Sequence, residues 1–447
     1  MKSLLSGWGR QPVLEAEVEI PDDAGRLPEL LARPYLPRGR GRSYGDASLP
    51  AAGHVAVDTA RLDRMLSFNP ATGVLDAESG VTLDAILAVG IPRGYFLPVT
   101  PGTMHVSLGG ALASNVHGKN HHHCGSIEHF VLEMEVATPM GTLICSPDLR
   151  PDLFRATLGG YGLTGLITRA KLRLKPVESG EVDVLRLRAP DLDGLFALFA
   201  KHDAGYEYSV AWLDTLARGA SLGRGILMLG SHAPAAAHGK GGGAGAAKER
   251  KSRLRVPFAM PGILLNRPML SAFNRVFYGL ARRNHPRPKR EGFAEYFYPL
   301  DGIGDWNLLY GKAGFFQYQC VIPDPRGEEG IAACLRFLSD NGLGAFLSVL
   351  KRCGDDRVML PFCRRGYTLA LDIPFRGRET LRLLDRLDAL VIGFAGRVYL
   401  TKDARLSAES FRAMYPESPD WMETVRRYNP DARSDSRLAG RLRLWKG

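Results

Sequence analysis

The sequence contains no run of roughly 18 apolar residues, so no segment of it reads as a membrane-crossing helix. Its first residues, Met1-Lys2-Ser3-Leu4-Leu5-Ser6-Gly7-Trp8, lack the apolar core of about 7–15 residues that a secretory leader carries. Cysteine is scarce: Cys124, Cys145, Cys320, Cys334, Cys353 and Cys363 are irregularly spaced, and none forms a Cys-x-x-Cys pair. A zinc ribbon and a disulfide scaffold are excluded, and the six read as free thiols of a reducing compartment. The expected location is cytoplasmic or peripheral to a membrane. Charged residues make up only 23% while hydrophobic residues reach 45%, which excludes wholesale disorder. A chain of 447 residues allows two large domains or about three of ordinary size.

Acid is missing from one stretch in particular. Between Lys240 and Arg290 a single acid, Glu249, faces 13 Lys and Arg residues, which accounts for the net charge of +11 and leaves the rest near-neutral. The tract His238 to Lys248 is glycine-rich and reads as a mobile loop. From Arg253 to Arg290, arginine is interleaved with apolar residues such as Phe258, Met260, Ile263, Leu264, Leu265, Phe273, Val276 and Phe277. One reading is a solvated loop followed by an amphipathic core helix. The other is contact with an anionic membrane surface or a lipid-phosphate substrate, where each basic residue contributes about 1 kcal/mol and apolar side chains dip into the headgroups. Nucleic acid is not an expected partner, because the aromatics form no stacking platform and the remaining surface is not basic.

Residues 1–176 carry short β-like runs separated by glycine loops, with strands expected at Val55 to Asp58, Val74 to Ala77, Val131 to Val136 and Ile167 to Leu174, and a short helix at Thr82 to Val89. From about residue 180 the pattern changes. Strands at Val182 to Arg188, Tyr208 to Leu213, Ile226 to Leu229, Phe316 to Val321, Phe346 to Lys351 and Tyr367 to Ile373 alternate with helices at Leu192 to Phe199, Ile331 to Leu338 and Glu379 to Leu390. This order predicts an antiparallel sheet with helices on one face, an α+β domain. No sequence repeat is evident.

Three glycine motifs stand out. Pro37-Arg38-Gly39-Arg40-Gly41-Arg42-Ser43-Tyr44-Gly45-Asp46 can turn tightly and face its N–H groups outward, a concavity that suits phosphate. Small residues run from Gly102 to Gly118, with a short helix expected over Leu108 to Ala113, so that a flat or phosphorylated ligand can approach the backbone. Gly160-x-Gly162-x-x-Gly165 matches the dinucleotide fingerprint by letter only: a helix precedes it and a strand follows, the reverse of the required order. His117 and His121 stand four apart beside His122, His123 and Cys124, but Gly118 and Asn120 argue against the helix a metal site would need, so no metal is expected.

In this order and spacing, the motifs resemble the FAD-binding domain of the vanillyl-alcohol oxidase/p-cresol methylhydroxylase (PCMH) superfamily. More narrowly, Arg38 to Asp46, Thr100 to His122, Gly159 to Ile167 and Tyr399 to Tyr415 resemble the decaprenylphosphoryl-β-D-ribose 2′-oxidase family. The resemblance implies a two-domain PCMH-type fold: an FAD-binding domain at 1–179, a separate antiparallel-sheet substrate domain at 180–396 with a basic insert at about 231–300, and a segment 397–447 returning to the FAD domain. It implies that Gly39, Arg40, Gly41, Arg42, Ser43 and Tyr44 wrap the FAD pyrophosphate. Gly102, Thr103, Ser107, Gly110, Ser114, Val116, His117 and Gly118 would line the isoalloxazine and ribityl side, completed by Ile167 and Tyr399. Covalent relatives carry histidine where this sequence has Arg42, so non-covalent FAD is expected. Lys402 matches the family's active-site lysine, and Lys351 a second basic position near the substrate.

Gln317 and Gln319, two apart on one strand, share a face and would meet the sugar or the flavin, with Tyr44 and His117 also near the substrate. Mycobacterial members carry cysteine at the position of Ala370, so no thiol is expected there. The implied activity is oxidation of the 2′-hydroxyl of a polyprenyl-phosphate-linked ribose, with a separate short-chain reductase completing the epimerisation. A soluble alditol or aldonolactone oxidase and a non-catalytic membrane-associated subunit are the alternatives.

Overall fold

The computed structural model describes residues 1–235, 254–260, 267–280, 288–345 and 347–445. The glycine-rich tract His238 to Lys248, the apolar Ile263, Leu264 and Leu265, the first residue of the Arg253–Arg290 stretch, and Phe346 lie outside those residues.

The fold is α+β. A four-stranded sheet places Val55–Asp58 between Val13–Glu19 and Tyr35–Arg38, parallel to both, with Lys2–Ser6 on the outer edge. A five-stranded antiparallel sheet follows in the order Met65–Asn69, Val74–Glu78, Leu166–Arg173, Val131–Thr138, Gly141–Cys145. Helices Leu83–Gly90 and Leu108–Ala113 add Ile86, Leu87, Ala111 and Leu112 to the core beneath it. The helix Pro151–Thr157 precedes the Gly160-x-Gly162-x-x-Gly165 loop and the strand Leu166–Arg173 follows it, as the sequence order requires. Gly162 and Gly165 adopt φ of 78° and 144°, and a Cβ at Gly165 would stand 2.5 Å from the Ala137 carbonyl.

The remaining half is an eight-stranded sheet, and every pairing in it is antiparallel. Its topology contains a repeat that the amino acids conceal. Strand Glu181–Ala189, helix Leu192–His202 and strands Tyr208–Leu213 and Gly225–His232 form one strand–helix–strand–strand unit. Phe315–Pro323, Gly327–Asp340, Ser348–Cys353 and Gly366–Pro374 form the second, and the two meet where Tyr208–Leu213 pairs with Ser348–Cys353.

Period-two alternation decides what each face of this sheet does. On one face Tyr318, Cys320 and Ile322 join Tyr367, Leu369, Leu371 and Ile373 in a core closed by Ile331, Leu335 and Leu338 of one helix and Leu384, Leu387 and Val391 of another. On the other face stand Gln317, Gln319, Thr368, Ala370 and Asp372. Gln317 pairs across to Asp372 and Gln319 to Ala370, while Lys351 pairs with Thr368 from the neighbouring strand.

The helix Arg267–Leu280 is amphipathic, as one reading of the basic stretch expects, but among its described residues only Leu270 and Asn274 are buried and much of its apolar surface is left exposed. Val276 and Leu280 are 60% and 58% exposed, and Phe258 on the preceding segment 61%. Buried Asn274 anchors it by donating to Asp214 Oδ1 at 2.8 Å, as Tyr278 does to the Ala189 carbonyl at 3.0 Å, and Phe277 packs on Trp212 with ring centroids 4.8 Å apart.

The last fifty residues pack back on the first two sheets. Trp421 Nε1 donates to the Ala156 carbonyl at 3.1 Å, and Ser434 Oγ to that of Gly162 at 2.7 Å. Arg441 forks onto Asp46 at 2.9 and 2.8 Å and reaches Asp403 at 2.8 Å. Asp46 and Asp403 are buried. Burial alone would raise Asp403, but Arg441 and Arg405 outweigh it and hold it below the usual carboxylate range. Asp403 in turn accepts from the Arg405 and Leu406 N–H groups, and its carbonyl accepts from Asp46 N–H. Gly45 sits so close that a Cβ there would stand 1.8 Å from the Asp403 oxygen. Lys402 is therefore carried on a turn clamped from both sides.

Candidate active site

A cavity of about 1210 Å³ lies between the glycine loops and the polar face of the eight-stranded sheet. Every residue singled out from the sequence as cofactor-binding, substrate-binding or catalytic lines it, from Gly39–Tyr44 through Gly102–Gly118 to Ile167, Gln317, Gln319, Lys351, Tyr399 and Lys402.

The first wall is backbone. Arg38 ends its strand by turning its guanidinium inward, donating to the Ser48 and Ser6 carbonyls at 2.8 Å each. The chain then turns at Gly41 with φ of 60°. A Cβ on Gly39 would stand 2.2 Å from Ser107 Oγ, so only glycine lets this loop meet the cap of helix Leu108–Ala113. Among the described residues, the N–H groups of Arg40, Gly41, Arg42, Ser43 and Tyr44 donate to no backbone or side-chain acceptor. Successive free N–H groups make an anion-binding concavity. Facing them, among the described residues, Gly102 has open space where a side chain would be, and Ser79 Oγ is buried without a partner. Arg42 lies over the Trp8 ring at 4.2 Å.

The second wall is aromatic and neutral. His117 packs against both Tyr399 and Phe362, with centroids at 5.0 and 5.4 Å, and Tyr399 stacks on Phe362 at 4.5 Å. Tyr399 OH donates to the Ser114 carbonyl at 2.5 Å. Burial holds His117 well below its ordinary range, with the Lys351 charge adding to it. The ring is therefore neutral, and its Nε2 accepts from Gln319 Nε2 at 2.9 Å.

The third wall is polar and titratable. Gln317 Nε2 donates to Asp372 Oδ1 at 2.6 Å, and Tyr310 OH to Oδ2 at 3.4 Å. The Lys402 ammonium sits 5.5 Å from the Tyr44 ring centroid. Burial pushes it down to about 7, Lys351 adds repulsion, and Asp372 pulls the other way. Burial pushes Asp372 up to about 7, opposed by the Gln317 hydrogen bond and the Lys402 charge. Burial also lowers Lys351, and lowers Lys119 to about 7. Lys119 donates to the Tyr296 carbonyl and lies 4.1 Å over that ring. Three lysines converging on one cavity favour an anionic ligand, and a lysine near 7 can exchange a proton at neutral pH.

Asp372 and Lys119 were missed by sequence reasoning. The signal for Asp372 was a lone acid in an otherwise apolar strand, at the same parity as Ala370. Lys119 lies inside the Thr100 to His122 stretch but carries no pattern of its own. The structure does not gather His117 and His121 as paired ligands. They lie with centroids 6.2 Å apart, and His121 turns instead toward Cys353 and Cys363. No cysteine lines the cavity among the described residues, and Ala370 stands in its wall.

Residues 29–146 match the family model described as an FAD binding domain, which covers the first glycine loop and the small-residue stretch. Over 98% of its length the chain is 34% identical, across 459 aligned residues, to decaprenylphosphoryl-β-D-ribose oxidase of Mycolicibacterium smegmatis, covering 97% of that protein. The chain belongs to the decaprenylphosphoryl-β-D-ribose oxidase family. An uncharacterized protein of Streptomyces coelicolor is also 34% identical, over 81% of this chain and 100% of its own length. Cytokinin dehydrogenase 1 of Oryza sativa subsp. japonica is 31% identical over only 44% of this chain and 38% of its own. As a member of this family the protein is an FAD-dependent oxidoreductase, and its cofactor is FAD. The residues present fit that group: the unused N–H groups of residues 40–44 suit a pyrophosphate, and the open space at Gly102 and the partnerless Ser79 hydroxyl leave room and a donor beside it.

Proposed function

We propose that this family member oxidises the 2′-hydroxyl of a polyprenyl-phosphate-linked ribose to the 2′-keto sugar, and that a separate reductase completes epimerisation. The observation that carries this reading is the joining, in one cavity, of three part-buried lysines, Lys119, Lys351 and Lys402, to a hydrogen-bonding wall of Gln317, Gln319, Asp372 and Tyr44. The lysines suit the phosphate and the wall suits sugar hydroxyls. The same cavity runs out to Trp212, Phe273 and Phe277, an apolar exit for a prenyl chain.

Residues 1–179 then form the cofactor half, 180–396 the substrate half, and 397–447 the return that brings Tyr399 and Lys402 to the boundary. FAD, when bound, supplies the hydride acceptor, and it is held without a covalent bond because Arg42 occupies the position where covalent relatives have histidine. As the sugar C–H bond breaks and C=O forms, neutral Lys402 takes the hydroxyl proton on Nζ. Lys351 neutralises the phosphate. Gln319 holds His117 in the acceptor form, and Gln317 fixes Asp372 beside Lys402.

A phosphate-bearing substrate should be preferred over ribose or an alditol by at least about 10–100-fold in kcat/KM, the value of one or two charge-assisted hydrogen bonds. Steady-state rates on a short prenyl-phosphoryl ribose and on its unphosphorylated analogues measure this. Equal rates would move the assignment to a soluble sugar oxidase.

The exposed helix Arg267–Leu280 is the site we assign to a peripheral anionic membrane surface. Replacing Arg275 by Gln and Val276 by Ser should weaken sedimentation with anionic vesicles about fivefold or more, from about 1 kcal/mol per basic residue. Unchanged sedimentation would remove the membrane from this reading and leave the chemistry intact.

A further inference from the structure

Behind the His117–Tyr399 wall lies a second cluster of reactive side chains that the oxidation does not use. Cys353 ends the strand Ser348–Cys353, and Cys363 sits in the irregular connection to Gly366–Pro374. Both are buried, and their Sγ atoms and a ring nitrogen of His121 all lie within 4.8 Å of one another. His121 comes from a chain segment more than 200 residues away and is fixed on both sides. Its Nε2 lies 3.1 Å from Asp356 Oδ1, and its Nδ1 accepts from Gly354 N–H at 3.0 Å. Asp356 is itself held by Ser126 Oγ at 2.6 Å and by the Cys363 N–H at 2.7 Å. Contact with the Cys363 thiol lowers Cys353 to about 7 against the opposing effect of burial, with the charges of His121 and Lys351 adding to the lowering. Burial pushes Cys363 well up. One thiol is thus poised as the thiolate and the other as its neutral partner, the division of labour of an attacking and a resolving cysteine.

We propose that Cys353 and Cys363 form a dithiol–disulfide couple, closed by hydrogen peroxide, that controls the loop backing the His117–Tyr399 wall. The Cys353 thiolate attacks one peroxide oxygen, the O–O bond breaks, and hydroxide leaves. The resulting sulfenic acid is attacked by the Cys363 sulfur, which loses its proton as the S–S bond forms and water departs. Two thiols lose two electrons in all, and one peroxide becomes two waters. Peroxide is the oxidant chosen because it is small enough to reach buried sulfur. Forming a bond of about 2.0 Å draws Cys363 toward the strand. That pulls on Phe362, which stacks on Tyr399 at 4.5 Å, so the closed form disturbs the pocket wall.

The molecule contains its own control. Cys320 and Cys334 also touch, between a strand and the helix packed on it, but the contact and burial raise the Cys320 thiol well above its usual range. Neither lies in an irregular connection that can move. That pair should stay reduced.

The test treats the FAD-loaded full chain with stoichiometric peroxide, alkylates it after denaturation, and maps peptides by mass. The expected result is a Cys353–Cys363 cross-linked peptide with four of the six thiols still alkylated, reversal by dithiothreitol, and turnover that falls and recovers in step. Cys353→Ser and Cys363→Ser should each abolish the cross-link. Alkylation of both cysteines after peroxide would overturn the proposal. So would a stoichiometric zinc ion in the purified protein that is lost in Cys353→Ser, because the three side chains would then be a metal site. Neither outcome depends on which sugar the enzyme oxidises.

Discussion

Lys402→Met is expected to lower turnover by about 10²–10⁴-fold, the range for losing a positioned base, while FAD stays bound. The lysine reaches into the cavity from a turn whose backbone is clamped by Asp46, so its side chain can be exchanged without releasing the turn. Methionine keeps the length and the apolar stem and removes only the amine. Rapid-reaction measurement of flavin reduction isolates this step from later ones. A loss below about tenfold would assign the proton to another group.

The pH profile carries the same information with a definite sign. In the proposed role Lys402 must be neutral, so the rate should rise with pH through about 7, where burial has placed it. Asp372 raises Lys402 by its charge. Asp372→Asn removes that charge, the lysine falls further, and the acid limb should move to lower pH. A limb that moves upward, or does not move, would separate Asp372 from the proton's path.

Arg441→Ala should destabilise the fold by about 3–5 kcal/mol, the cost of leaving a buried charge without its partner. Here two carboxylates lose one guanidinium. Asp46 and Asp403 side chains are 0% and 2% exposed, so neither carboxylate is hydrated in the folded protein. The effect should reach the chemistry as well, because Asp403 follows Lys402 directly and fixes its turn. Urea unfolding of the FAD-loaded protein measures the first effect, and the flavin reduction rate the second. A loss under about 1 kcal/mol, typical of a surface pair, would show that the network is solvated and that the C-terminal segment is held by Trp421 and its apolar neighbours instead.

The parts of the site that were legible beforehand are those written locally. Glycines at 39, 41 and 45 mark a loop that must turn tightly and pack closely, and the structure places a Ser107 oxygen, the Arg38 guanidinium and the Asp403 backbone where their side chains would be. Alternation in Phe316 to Val321 put Gln317 and Gln319 on one face, and that face lines the cavity. Lys402 had no local signature and was reached through family resemblance alone.

What could not be read is what tertiary structure assembles. Asp372 gains its meaning from standing across from Gln317 in the neighbouring strand. His121 meets Cys353 and Cys363 only once the sheet has folded against the FAD-binding half. Helical spacing in Arg267 to Leu280 was visible, but spacing does not say what a helix faces: Leu270 is buried, while Phe273, Val276, Phe277 and Leu280 are exposed. The doubled strand–helix–strand–strand unit was hidden because matching topology needs only matching alternation, not matching residues.

The most direct test of the central claim is the absorption spectrum of the purified FAD-loaded protein, recorded anaerobically before and after adding a prenyl-phosphoryl ribose. Flavin bands should be present and released by acid, which shows non-covalent FAD, and should bleach on addition of that substrate but not of its 2′-deoxy analogue. Flavin bands that persist with the ribose substrate, or that bleach equally with the 2′-deoxy analogue, would contradict oxidation at the 2′-hydroxyl.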